Sequence, residues 1–282
     1  MPAQRTLRRP ADVSGLGVHS GKPVSLRILP SDGGTIIFRR PDLGGAEMGL
    51  ALDRVESRNS TALVGERFTV RTVEHLLAAL QSYGVFSVIL AVDADEMPIM
   101  DGSALPFVRA IEEAGLRELD RPAAGMRIVR PLVLEDSGAW VRLDPIPGDG
   151  PAVLDYTIVY EHPAIGTSRL ERPLTPEAFA AEIAPARTFG FLKDVESLHA
   201  RGLALGASLA NTVALDEAGV VNPPLRFPDE FVRHKLLDLA GDLALLGRPF
   251  LGRASAFRAG HRLHLEAVKA LLNRPDCWEP FE

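Results

Sequence analysis

Cysteine is almost absent from this chain of 282 residues, where Cys277 stands alone. A single thiol excludes an intrachain disulfide and a thiolate zinc cage. No uninterrupted apolar run reaches the ~18 residues that a membrane span requires. The opening stretch Met1-Pro2-Ala3-Gln4-Arg5-Thr6 lacks the apolar core of a secretion signal, so the cytosol is the expected compartment. Lysine and arginine form no block and the net charge is -6, which argues against non-specific nucleic-acid binding. Neither a low-complexity tract nor an internal repeat is legible. The His-Glu-x-x-His pattern of thermolysin-type proteases is missing too. The one glycine-rich loop, Gly15-Leu16-Gly17-Val18-His19-Ser20-Gly21-Lys22-Pro23, has Leu16 and Pro23 where a phosphate-binding loop needs Gly and Ser or Thr. It reads as a turn, with His19 a weaker candidate for ligand contact. What remains is 46% hydrophobic and 24% charged, a soluble globular composition long enough for one large domain or two ordinary ones.

The most informative stretch is Phe231-Val232-Arg233-His234-Lys235-Leu236-Leu237-Asp238-Leu239-Ala240-Gly241-Asp242-Leu243. It predicts a helix that is apolar almost all round, crossed by one polar stripe. His234, Asp238 and Asp242 recur every fourth residue and so share a face. Buried charge is costly unless it is paired or bound to a cation. Two readings follow: a core histidine satisfied by a carboxylate, or two ligands for a metal such as zinc.

Thr72-Val73-Glu74-His75-Leu76-Leu77-Ala78-Ala79-Leu80 favours the metal. Val73, Leu76, Leu77 and Leu80 give a helical apolar stripe, and His75 lies off it above small residues. Catalytic zinc commonly takes three protein ligands, with a carboxylate nearby as base. His75, His234 and Asp238 would complete such a set, leaving Glu74 to act on the water.

The wider pattern predicts strands at 24–28, 34–38 and 85–92, a tight connection at 97–103, and a helix at 106–114 ended by Gly115. A break near 120–125 divides the chain into 1–124 and 125–282. The second part predicts strands at 126–134, 139–143, 153–160 and 254–257. Its helices are expected at 176–183, 228–246 and 264–272. Each half reads strands first and then helix, which gives an α+β fold with two layered units. His162 and His199 are expected on the surface.

At this point the chain resembles the zinc-dependent UDP-3-O-acyl-N-acetylglucosamine deacetylases, which commit bacteria to lipid A. The likeness runs through Gln4-Arg5-Thr6-Leu7, Gly17-Val18-His19-Ser20-Gly21, Thr72-Val73-Glu74-His75-Leu76 and Pro98-Ile99-Met100-Asp101-Gly102-Ser103. It continues in Ala186-Arg187-Thr188-Phe189, Asp229-Glu230-Phe231-Val232-Arg233-His234-Lys235 and Gly260-His261. The resemblance implies two domains, each a β-sheet layered with helices, the helices sandwiched between the sheets. It implies a Zn2+ ion on His75, His234 and Asp238, with Glu74 as general base. By the same likeness His261 is the general acid, Asp242 its orienting partner, and Thr188 the hydroxyl facing the oxyanion. Lys235, Thr188 and Phe189 would contact an acylated UDP-amino-sugar substrate, and the protein is expected to be a monomer. Two stretches depart from the family pattern. Gly206-Ala207-Ser208-Leu209-Ala210 replaces Gly-Gly-Ser-Leu-Asp, and His264 stands where the family often has asparagine.

Taken alone, His261 reads as a turn histidine after glycine and Lys235 as a snorkelling helix lysine. Two other functions are compatible with the metal set: an amidohydrolase of the same fold for another nucleotide sugar or acyl chain, and a silent protein whose metal only joins two domains. Glu74, Thr188 and His261 speak against the silent protein, because a structural metal site needs none of them.

Overall fold

The computed structural model describes residues 3–50, 54–57 and 59–281. Met1 and Pro2, which belong to the N-terminal stretch read above, lie outside the described residues. The fold is α+β. Its helices are α1 (Glu74–Ser82), α2 (Leu105–Ala114), the single-turn α3 (Pro176–Ala178), α4 (Val195–Ala200), α5 (Glu230–Leu243) and α6 (His261–Leu272).

Two five-stranded sheets form the outer layers. The first runs Ala11–Leu16, Pro23–Pro30, Val88–Val92, Ile36–Arg40, Ala46–Gly49 in space. The second runs Leu132–Asp136, Ala139–Asp144, Arg253–Phe257, Val153–Val159, Thr167–Pro173. In both, the strand that comes last in sequence inserts between the second and third. It is antiparallel to the second and parallel to the third. Parallel neighbours need a crossover connection, and those crossovers carry α1 in the first half and α5 in the second. The closing strands lead into α2 and α6. The two halves therefore share one topology that no residue pattern revealed.

Alternation explains how each sheet covers the helices. Along Pro23–Pro30, Val24, Leu26 and Ile28 are buried while Ser25 and Arg27 face out. Leu154, Tyr156 and Ile158 do the same work in the second sheet. Between the sheets the helices meet one another. Every residue of α1 is buried, so its apolar stripe is only one of several packed faces. In α5 only Arg233 and Lys235 keep partial exposure. The two helices cross so closely that a Cβ at Gly241 would fall 2.1 Å from the carbonyl oxygen of Glu74. Glycine at that position is what lets the α1 backbone, and with it Glu74 and His75, lie against α5.

Several expected boundaries move. The strand expected at 126–134 is two strands in different sheets, Gly125–Ile128 and Leu132–Asp136. Pro131 separates them because it has no N–H to give to a ladder. The strand expected at 85–92 begins at Val88, and the 176–183 helix is one α-turn followed by a wider π-type turn at Phe179–Ile183. Pro228 precedes the long helix, which starts at Glu230 and tightens into a 3-10 turn at Ala244–Leu246. The last helix starts at His261, three residues earlier than expected, with Gly260 in an extended conformation before it.

Candidate active site

Glu74 and His75 open α1, and the crossing with α5 brings them beside the polar stripe of His234, Asp238 and Asp242. The rings of His75 and His234 stand edge to face at 5.1 Å. One ligand atom from each of His75, His234 and Asp238 lies within 4.8 Å of the others. The three side chains are buried, yet they line an open cavity of about 710 Å³ together with Glu74, Thr188, Phe189, Lys235 and His261. All the expected site residues except Asp242 face that cavity. Asp242 is fully buried behind it.

The charge states suit a cation. Burial, reinforced by His234, pushes His75 down to about 3. Burial also lowers His234, whose Nδ1 lies 3.1 Å from the Ala186 carbonyl oxygen and so carries the hydrogen. That leaves Nε2 of His234 as a lone-pair donor, 3.5 Å from Oδ1 of Asp238. Burial opposes ionisation of Asp238, but Lys235 and then His234 outweigh it and hold the carboxyl well below its usual range. Nδ1 of His75 is buried with no hydrogen-bond partner among the described residues. Two neutral imidazoles and an ionised carboxylate, one with an orphaned nitrogen, are a donor set that fits zinc.

Glu74 and His261 stand beside this set. Burial pushes the Glu74 carboxyl up to about 7, and its Oε2 accepts from the backbone N–H of Thr61 at 3.1 Å. Burial works against the cation at His261, but Asp242 and then Asp238 raise it to about 9. Nδ1 of His261 lies 2.8 Å from Oδ2 of Asp242, and its Nε2 is 3.9 Å from Oε1 of Glu74. A carboxyl poised near neutrality thus stands beside a cationic imidazole at the cavity wall, a pairing suited to proton transfer.

Thr188 is held by its backbone: its N–H donates to the Gly102 carbonyl at 2.8 Å, and its own carbonyl accepts from Val213 N–H at 2.8 Å. The Phe189 ring packs edge to face on Phe231 at 5.0 Å and faces His234 at 6.3 Å. Lys235 does not snorkel to solvent. Its ammonium donates to Oδ2 of Asp238 at 2.6 Å.

A family model described as UDP-3-O-acyl N-acetylglycosamine deacetylase (LpxC) matches residues 4–273. The chain belongs to this family. Curated relatives named UDP-3-O-acyl-N-acetylglucosamine deacetylase agree. That of Nautilia profundicola is 41% identical, covering 95% of this chain and 91% of the relative. That of Shewanella frigidimarina is 42% identical over 98% and 92%. That of Sodalis glossinidius is 42% identical over 99% and 93%.

The altered stretch 206–210 retains the glycine that the packing requires. A Cβ at Gly206 would sit 2.2 Å from the Gly17 carbonyl oxygen, and Gly206 N–H donates to the Val18 carbonyl at 3.0 Å. The glycine-rich turn at 15–21 is therefore a clamp on this stretch, and the His19 ring accepts from Ala204 N–H at 3.3 Å while lining the cavity. Glu96 holds the turn from beneath, accepting from the backbone N–H groups of His19 and Ser20, each at 2.8 Å. His199 is exposed and also lines the cavity. His162 is only half-buried, with Nε2 2.7 Å from the Asp216 carbonyl oxygen.

Sequence reasoning missed Thr61 and Tyr156. Thr61 touches both flanks of the site: besides its N–H to Glu74, its hydroxyl donates to Oδ1 of Asp242 at 2.5 Å. Tyr156 stands behind His264, with its hydroxyl 3.0 Å from Nε2. No local pattern marks either residue, because each reaches the site only by strand placement.

Proposed function

We propose that the protein is a zinc-dependent amidohydrolase. It removes the N-acetyl group of UDP-3-O-[(3R)-3-hydroxyacyl]-N-acetylglucosamine and releases acetate, the committed step of lipid A biosynthesis. Family membership supplies the deacetylase activity and its place in lipid A synthesis. The observation that carries the chemistry is the placement of Glu74 and His261, 3.9 Å apart, beside His75, His234 and Asp238.

His75, His234 and Asp238 would hold the ion. An ion bound there would supply Lewis-acid polarisation of the amide carbonyl and would lower the pKa of a bound water toward ~7. Glu74, once ionised, takes the proton of the attacking water. Thr188 donates its hydroxyl to the developing oxyanion, where a fixed donor contributes most. Cationic His261 adds positive charge and then gives its Nε2 proton to the departing amine, while Asp242 holds Nδ1. Lys235 spends one of its three N–H bonds on Asp238, which leaves others for the diphosphate side of the substrate. Phe189 offers an apolar wall.

The same reading takes 1–124 and 125–282 as two domains. Strand pairing that stays within 3–122 or within 125–281 among the described residues supports it. It also takes the protein as a cytosolic monomer. Among the described residues no helix is long and apolar enough to cross a membrane.

Zinc analysis combined with a deacetylation assay tests the proposal. The expected product is the free 2-amine of the UDP-linked, 3-O-acylated glucosamine. UDP-N-acetylglucosamine without the acyl chain should turn over poorly, because remote binding energy no longer positions the amide. Equal turnover of the two compounds would point to a different nucleotide sugar.

A further inference from the structure

His264 is fully buried three residues after His261 on α6, and the chemistry above gives it nothing to do. Its Nδ1 lies 2.8 Å from Oδ2 of Asp242, the same oxygen and the same distance as Nδ1 of His261. The two rings are 6.1 Å apart and nearly perpendicular. On the far side, Nε2 of His264 is 3.0 Å from the Tyr156 hydroxyl, which is also 2.8 Å from the Ala259 carbonyl oxygen. Ala259 belongs to the turn 258–260 that delivers His261, and this turn begins with Arg258 at φ 51.

Hydrogen bookkeeping fixes the roles. Burial resists ionisation of Asp242, but the charge of His261 and hydrogen bonds from both imidazoles bring the carboxyl down to about 2. An ionised carboxylate only accepts, so Nδ1 of His264 carries a hydrogen. Burial pushes the His264 ring toward its neutral form, which leaves Nε2 as an acceptor that shares the single Tyr156 hydroxyl hydrogen with the Ala259 carbonyl. The other carboxylate oxygen, Oδ1, takes the Thr61 hydroxyl. Both oxygens of Asp242 are therefore pinned, and Oδ2 retains one direction for His261.

We propose that His264 is a positioning residue for His261: by donating to the oxygen that the acid also uses, it fixes the rotation of Asp242 and through it the imidazole of His261. The Tyr156 hydroxyl lies within reach of the far nitrogen of His264 and of the Ala259 carbonyl in the turn before the acid, and its single hydrogen serves one of them at a time. The inference rests on the reading of His261 as the acid.

The test compares three replacements at His264 by kcat, KM and thermal midpoint. His264→Leu should lower kcat about ten- to hundred-fold with KM unchanged, the range for groups that orient a reactive side chain. Asparagine places its amide nitrogen near the position of Nδ1, so His264→Asn should recover most of that loss. Glutamine reaches the position of Nε2 instead, so His264→Gln should behave like leucine. In an Asp242→Asn background the leucine replacement should cost nothing further, since a residue acting only through Asp242 is non-additive with it. Equal kcat for the asparagine and glutamine variants overturns the proposal, as does a leucine penalty that persists beside Asp242→Asn. Should the leucine variant fail to fold, the asparagine and glutamine pair still decides. In protein carrying 15N-histidine, a low-field Nδ1–H resonance should survive His261→Ala and vanish in His264→Gln, and its absence overturns the shared-oxygen arrangement without any assay. The underlying reading fails separately: it falls if His261→Ala keeps full activity, whereas full activity in His264→Leu with His261→Ala inactive sinks only the role of His264.

Discussion

Oε1 of Glu74 lies 3.9 Å from Nε2 of His261, and the two groups belong to different halves of the chain. Burial drives the carboxyl up to about 7, and Asp242 with Asp238 overcomes burial to drive the imidazole up to about 9. The imidazole is thereby kept cationic near neutral pH, and the carboxyl is made more basic while only partly ionised there.

Activity against pH should be bell-shaped. With Glu74 as the proposed anionic base the rate should rise as pH passes about 7, and with His261 as the proposed cationic acid it should fall as pH passes about 9. The charge of Asp242 raises both groups. Asp242→Asn should therefore move both limbs toward lower pH. A profile of kcat/KM checks this, and an alkaline limb that stays in place would show that Asp242 does not support the acid.

Zinc content should separate ligands from the base. His75→Ala, His234→Ala and Asp238→Ala each remove a donor atom and should lower metal occupancy at limiting zinc. Glu74→Ala should keep the metal and lose roughly two to four orders of magnitude in rate, the usual worth of general acid–base catalysis. Full occupancy in both α5 variants would mean that the ligands lie elsewhere.

Gly241→Ala sets helix propensity against packing. Alanine favours a helix interior by roughly 0.5–1 kcal/mol over glycine. Here its Cβ would lie 2.1 Å from Glu74 oxygen, and forcing extra volume into a packed core costs about 1–3 kcal/mol. The clash should win, lowering the denaturant midpoint and also kcat, because Glu74 and His75 move with the α1 backbone. An alanine variant as stable and active as wild type would contradict the close crossing.

Thr61→Val removes the hydroxyl on Oδ1 of Asp242 but keeps the backbone N–H on Glu74. An unpartnered buried acceptor costs about 1–3 kcal/mol, so stability should drop by that order while the limb near 7 stays in place. Thr61→Ser should restore the stability. Equilibrium denaturation and the acid side of the rate profile measure the two effects separately.

The site was legible where its spacing is local. His234, Asp238 and Asp242 share a face because a helix repeats every 3.6 residues, and Glu74 and His75 are neighbours at a helix start. Sequence periodicity therefore sufficed to propose the ligand set and the base, and the family likeness added His261, Thr188 and Phe189. The start of α6 was not legible, since a histidine after glycine looks the same in a turn as in a first helical turn.

Residues alone determined the buried polar helix and the α+β class, and a single cysteine leaves no thiolate cage. Tertiary structure decided how α1 crosses α5, why Gly241 must be glycine, and that Thr61 and Tyr156 stand behind the reacting groups. It also decided that both sheets share one strand order, and that 126–134 splits between two sheets. The physical reason is the range of the interactions. Helical facing is fixed within four residues, whereas a strand finds its partner across scores of residues and a buried hydroxyl finds its acceptor 181 positions away.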